Sequence, residues 1–128
     1  MHTHDAIVIG SGQEGPFLAV RLAQSGLKVA LVEREHYGGT CVNDGCVPTK
    51  TLVASARTAH VARRAGEYGV TLGGPVSVDM KAVMARKDRI VQQSVSSLTQ
   101  WLQGTAGLDL VWGSARFIGP YAIEVCSQ

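Results

Sequence analysis

Ala6-Ile-Val-Ile-Gly10-Ser-Gly-Gln-Glu-Gly15 is the stretch whose reading decides the fold. A short continuous apolar run is the form a buried parallel strand takes. G-x-G-x-x-G directly behind it marks the turn from such a strand into a helix. Gly10 permits the tight turn, Gly12 lets main chain approach a pyrophosphate, and Gly15 lets the helix pack closely on the strand. Phosphate held there would face unpaired N–H groups and the positive end of a helix dipole. Pro16 to Ser25 reads as that helix, with Phe17, Leu18 and Leu22 turned inward. Pro16 is tolerated in its first turn, and Gly26 ends it. Lys28 to Val32 is the second buried strand, and it closes on Glu33. The whole is one right-handed β–α–β unit. Glu33 stands about twenty residues beyond the glycines, where a carboxylate accepts hydrogen bonds from a dinucleotide ribose. The competing reading is a tight structural turn with a surface glutamate.

Working outward, the run Gly38-Gly-Thr-Cys-Val-Asn-Asp-Gly-Cys-Val-Pro-Thr-Lys50 carries two cysteines with four residues between them. Cys41 and Cys46 admit three readings. A structural bridge is disfavoured by the reducing compartment expected for a chain without a signal segment. A metal pair lacks further ligands, since His2, His4, His36 and His60 show no zinc-site spacing, and no metal site is expected. A redox pair fits because Gly45 and the polar loop Val42-Asn43-Asp44 let the sulfurs meet. Cys46 falls at a helix N-terminus, which stabilises a thiolate. Lys50, one turn into the same helix, either adds a cation or is an ordinary solvated lysine. Cys126 stands alone in a strand pattern and reads as a buried inert thiol.

The chain between Arg34 and Gly45 reads as irregular. A helix is expected from about Val47 to Ala65, and glycines at 66, 69, 73 and 74 mark a loop region. Asp79 suits the N-cap of a long helix reaching Gln103. Val83, Lys87, Ile90, Val91, Leu98, Trp101 and Leu102 follow helical spacing and form its core face. Strands follow at Leu108 to Trp112, Ala115 to Ile118 and Tyr121 to Val125. The fold class is therefore α/β: a Rossmann-like parallel sheet with flanking helices and a C-terminal antiparallel β-meander.

At 128 residues with 45% apolar composition, the chain suits one globular domain with a core. A formal charge of +2 gives no footprint for nucleic acid, and Arg57, Arg63 and Arg64 read as a solvated helix face. No apolar run is long enough for a membrane helix. The expected address is cytoplasmic, with no membrane partner.

The GGTCVNDGCVPTK run, with GSGQEGP upstream and Glu33 between, resembles the FAD-dependent pyridine nucleotide–disulfide oxidoreductases. The continuation TLVASARTAHVARRAGEYGV looks closest to mercuric-reductase-like and dihydrolipoamide-dehydrogenase-like members. The resemblance implies that Gly10, Gly12 and Gly15 hold the FAD pyrophosphate and Glu33 its adenosine ribose. It further implies that Thr40 and Lys50 contact FAD near the flavin and that Ala115 lies by the adenine through its backbone. Cys41 would be the interchange thiol and Cys46 the charge-transfer thiol. Electrons would pass from NAD(P)H through FAD to the Cys41–Cys46 pair and on to an acceptor, either a disulfide or Hg(II). The chain resembles the N-terminal portion of an FAD-binding domain over residues 1–128. The NAD(P)H and dimer-interface domains of the full-length homodimer would lie outside it. Turnover by the isolated chain is not expected. Two alternatives remain: a catalytically incomplete fragment, and a soft-metal-binding dithiol module. Glu14 in the phosphate loop and Asp44 in the cysteine loop depart from the family pattern.

Overall fold

A computed structural model describes residues 2–126. Three strands, β1 (Ala6–Ile9), β2 (Val29–Glu33) and β3 (Leu108–Trp112), form a parallel sheet in the order β1-β2-β3. Ala6 pairs with Val29, and Val29 in turn with Leu108. All five residues of β2 are buried, as expected of a central strand covered on both faces.

Helix α1 (Gly15–Gln24) crosses from β1 to β2 and buries Pro16, Ala19, Val20 and Ala23. That i, i+3, i+4, i+7 stripe is small-sided, so the helix lies close to the sheet. The expected inward positions Phe17 and Leu18 are instead 59% and 53% exposed. Gly15 fixes the helix rotation by packing on Gly10, which turns both large side chains outward, where Phe17 meets Trp101 at 5.2 Å between ring centroids. The core joins Ala19, Val20 and Ala23 to Val29 and Leu31 and is closed by Leu102.

The segment expected to be irregular contains a five-residue helix, α2 (Gly39–Asn43). Asn43 supports it locally, its Nδ2 donating to Tyr37 O at 3.0 Å and Gly39 O at 2.9 Å. Helix α3 (Cys46–Arg63) follows and passes into a 3-10 turn, Ala65–Tyr68. Helix α4 (Met80–Gln103) starts at Asp79, whose carboxylate accepts from the Ala82 amide at 3.0 Å. Its predicted stripe is half-buried except at Leu102, which is fully buried, and Trp101, which is exposed. Arg86 joins the two long helices, its Nη1 donating to Thr51 O at 3.1 Å.

The antiparallel part is a hairpin of β4 (Ser114–Gly119) and β5 (Ala122–Cys126). A cleft of about 950 Å³ separates it from the sheet, lined by Ile7, Val32, Val111, Ile118 and Ile123 among others. Cys126 is exposed, contrary to the sequence expectation, because it lies at the end of this two-stranded ribbon. Arg57, Arg63 and Arg64 are exposed, as expected of a solvated face. Among the described residues, no helix is long and apolar enough to cross a membrane.

Candidate functional site

The carboxyl end of β1 turns at Gly10, whose φ of 94° is open to glycine alone at little cost. Its amide donates to Val32 O at 2.7 Å, tying the turn to β2. A side chain at Gly15 would place Cβ 2.0 Å from Gly10 O, so strand and helix meet there with no room for any other residue. Gly12 differs: a Cβ built on it meets nothing within 4 Å. Protein packing therefore does not demand glycine at 12, whereas a ligand seated against the main chain would. The loop thus fits a diphosphate, at the N-terminus of a ten-residue helix. Glu14, the departure noted in this loop, is exposed and makes no side-chain cap.

Glu33 ends β2 beside this loop and is only 8% exposed. Its Oε2 accepts from the Ser11 amide at 2.9 Å and the Ser11 hydroxyl at 2.5 Å. Its Oε1 accepts from the amides of Arg34 at 2.7 Å and Glu35 at 2.8 Å. Burial pushes the carboxyl up, but the Ser11 hydroxyl and the amides of Glu35, Ser11 and Arg34 outweigh it and hold Glu33 below its ordinary value. The same charge, secondary to burial, raises Tyr37, whose ring meets Trp112 edge-on at 5.5 Å.

The cysteine segment is docked directly on the glycine loop. Gly38 donates its amide to Ser11 O at 2.9 Å. A Cβ on Gly39 would come within 2.9 Å of Gly12 Cα, so the two glycines lie back to back. Helix α2 then presents Cys41, half-buried, and α3 opens with Cys46, exposed. Gly45 makes the return possible, since a side chain there would press on Thr40 O at 3.0 Å and Cys41 Cα at 3.4 Å. The two thiols are free. Hydrogen bonding toward Cys46, partial burial and the proximity of Cys46 raise the Cys41 thiol above its ordinary value. The Cys46 amide and the Lys50 ammonium pull the other way. Asp44 is exposed, and the upward pressure on Cys41 comes from Cys46.

Gly10, Gly12, Gly15, Glu33, Cys41 and Cys46 are thereby gathered at one end of the sheet. Thr40 and Lys50 are exposed on the two short steps around the dithiol. Ala115 is half-buried on β4, two residues beyond Gly113, whose amide donates to Glu33 O at 2.8 Å. Sequence reasoning passed over Ser11, Gly38 and Gly39 as structural actors. Their spacing carries no chemical signal, because each acts through a contact that exists only after folding. Among the described residues, no group of three or more His, Cys, Asp or Glu side chains gathers as a metal site.

A family model described as pyridine nucleotide-disulphide oxidoreductase matches residues 4–124. Dihydrolipoyl dehydrogenase of Rhizobium etli is 42% identical over 123 residues, covering 96% of this chain and 25% of the relative. The Thermus scotoductus protein of the same name is 42% identical over 125 residues, 98% of this chain and 26% of the relative. Among solved structures, the Cu(II) complex of the HOCl-induced flavoprotein disulfide reductase RclA from Escherichia coli superposes with a TM-score of 0.80. It is 33% identical, with 98% of this chain covered and 25% of the other. The chain spans about a quarter of the length of these relatives.

Proposed function

The chain belongs to the pyridine nucleotide-disulphide oxidoreductase family, and on that premise we propose that it is the FAD-binding, redox-dithiol portion of a flavoprotein disulfide reductase. The carrying observation is the docking of the Cys41–Cys46 segment on the glycine loop through Gly38–Ser11 and Gly39–Gly12. A nucleotide whose diphosphate sits on the loop is by this contact brought to the dithiol.

In this reading the main chain at Gly10, Gly12 and Gly15 holds the FAD diphosphate, and Glu33 holds the adenosine ribose. Thr40 and Lys50 approach the flavin, and the Ala115 backbone approaches the adenine. The flavin, when bound, supplies the two-electron relay between a reduced nicotinamide and the cysteine pair. The remaining chemistry belongs to the protein's own sulfurs. Cys41, as thiolate, attacks an acceptor disulfide, forming a mixed disulfide and releasing one acceptor thiolate. Cys46 then attacks Cys41 Sγ, closing the Cys41–Cys46 disulfide and releasing the second acceptor sulfur. The acceptor gains two electrons and two protons, and the pair is oxidised by two electrons. The exchange is reversible, so the same pair also serves oxidation of a dithiol. The names of the relatives favour a lipoamide-type acceptor over Hg(II). A second reading is that the two free thiols, five positions apart, capture a thiophilic metal ion without flavin.

Purified chain, titrated with FAD and followed by flavin fluorescence, is expected to bind it and to show long-wavelength absorbance on partial reduction. Failure to take up FAD defeats the proposal. Metal capture without FAD uptake favours the second reading.

A further inference from the structure

The Glu33 carboxylate has no free acceptor site. A carboxylate offers about four lone-pair positions, and the Ser11 amide, the Ser11 hydroxyl and the amides of Arg34 and Glu35 fill them. A ribose hydroxyl can donate to Glu33 only if one of these donors gives way. Three are main-chain N–H groups fixed by the loop and by the end of β2. The fourth, Ser11 Oγ, turns about a single bond. It also has somewhere to turn: His36 O lies 3.4 Å from the same hydroxyl.

We infer that Ser11 is a positioning residue for the dinucleotide, its buried hydroxyl holding the ribose-binding lone pair of Glu33 and releasing it to the ligand by rotating toward the His36 carbonyl. The inference rests on the FAD reading above and deepens it. It makes the hydroxyl a competitor of the ribose. Removing it leaves Glu33 oriented by three amides but short of one donor, which the ligand then supplies. A hydrogen bond of this kind is worth about a factor of five in a binding constant.

The test titrates FAD, and an FAD analogue lacking both adenosine ribose hydroxyls, into the unaltered chain and Ser11→Ala, read by flavin fluorescence. FAD is expected to bind Ser11→Ala about fivefold more tightly, with the analogue's affinity unchanged. Ser11→Gly, which also lacks the hydroxyl, gives the same pattern where the alanine variant does not fold. Weaker or unchanged FAD binding, or an equal shift for FAD and analogue, overturns the role of Ser11 while leaving the functional reading standing. No FAD binding by the unaltered chain overturns both.

Discussion

Two glycines three positions apart, Gly12 and Gly15, carry opposite meanings, and adding one methyl group separates them. At Gly15 the added carbon would lie 2.0 Å from Gly10 O, which only a shift of α1 off β1 can relieve. Gly15→Ala is therefore expected to lose about 3 kcal/mol of stability, read as a lowered urea midpoint. At Gly12 the methyl enters open space, so Gly12→Ala should unfold within about 0.5 kcal/mol of the unaltered chain. Under the proposed FAD reading its FAD affinity should nevertheless fall about tenfold or more, because the methyl would occupy the diphosphate's line of approach. Equal stability losses in the two variants would remove the distinction. The thiols allow a second residue-level test. Because the Cys46 hydrogen bond favours the neutral form of Cys41, iodoacetamide alkylation of Cys41 should rise with pH around a midpoint above the ordinary thiol value. Cys46→Ala should bring that midpoint down, and Lys50→Met should raise it, as mapped by mass spectrometry. A midpoint indifferent to Cys46→Ala contradicts the described thiol pair.

Elements with one strong local cause were legible in the sequence. Ala6–Ile9 and Leu108–Trp112 form as read, and α4 starts where Asp79 caps it. The short helix α2 was not legible, because it depends on Gly38 and Gly39 docking on Ser11 and Gly12 and on Asn43 reaching back to Tyr37 O. The rotation of α1 was misread for a related reason. Periodicity offered Phe17 and Leu18 as core, but the Gly10–Gly15 contact, a tertiary constraint, turned the small residues inward instead. The candidate site divides the same way: its chemical groups were visible as residue types, while Ser11, which orients one of them, was not. Helix α4 allows a test of cap against core. Asp79→Ala loses one cap bond and should cost about 1 kcal/mol. Leu102→Ala empties a fully buried position between α4 and the sheet and should cost about 3 kcal/mol. A cap loss as large as the core loss would mean that α4 forms from its N-terminus rather than from its packing.

Across the whole molecule, Glu33 is where the separately built parts converge. Its carboxylate takes the glycine-loop residue Ser11, its carbonyl takes Gly113 at the junction of β3 and β4, and its strand is the centre of the sheet. Global stability should therefore follow its ionisation. The folded-state value lies below that of the unfolded chain, because four donors favour the anion more than burial disfavours it. The resulting stabilisation is complete above the ordinary glutamate range, near pH ~4.3, and is lost as pH falls through the lowered folded value. Urea midpoints measured from neutral pH downward should hold level and then drop in that acidic window. Glu33→Gln should be less stable at neutral pH, since an amide NH₂ must face donors that need an acceptor, and should lose part of the acid-induced drop. The comparison isolates Glu33 from the exposed carboxylates, which both proteins share. Parallel pH curves for the two proteins would show that the convergence on Glu33 is geometric only, with its charge contributing nothing to the fold.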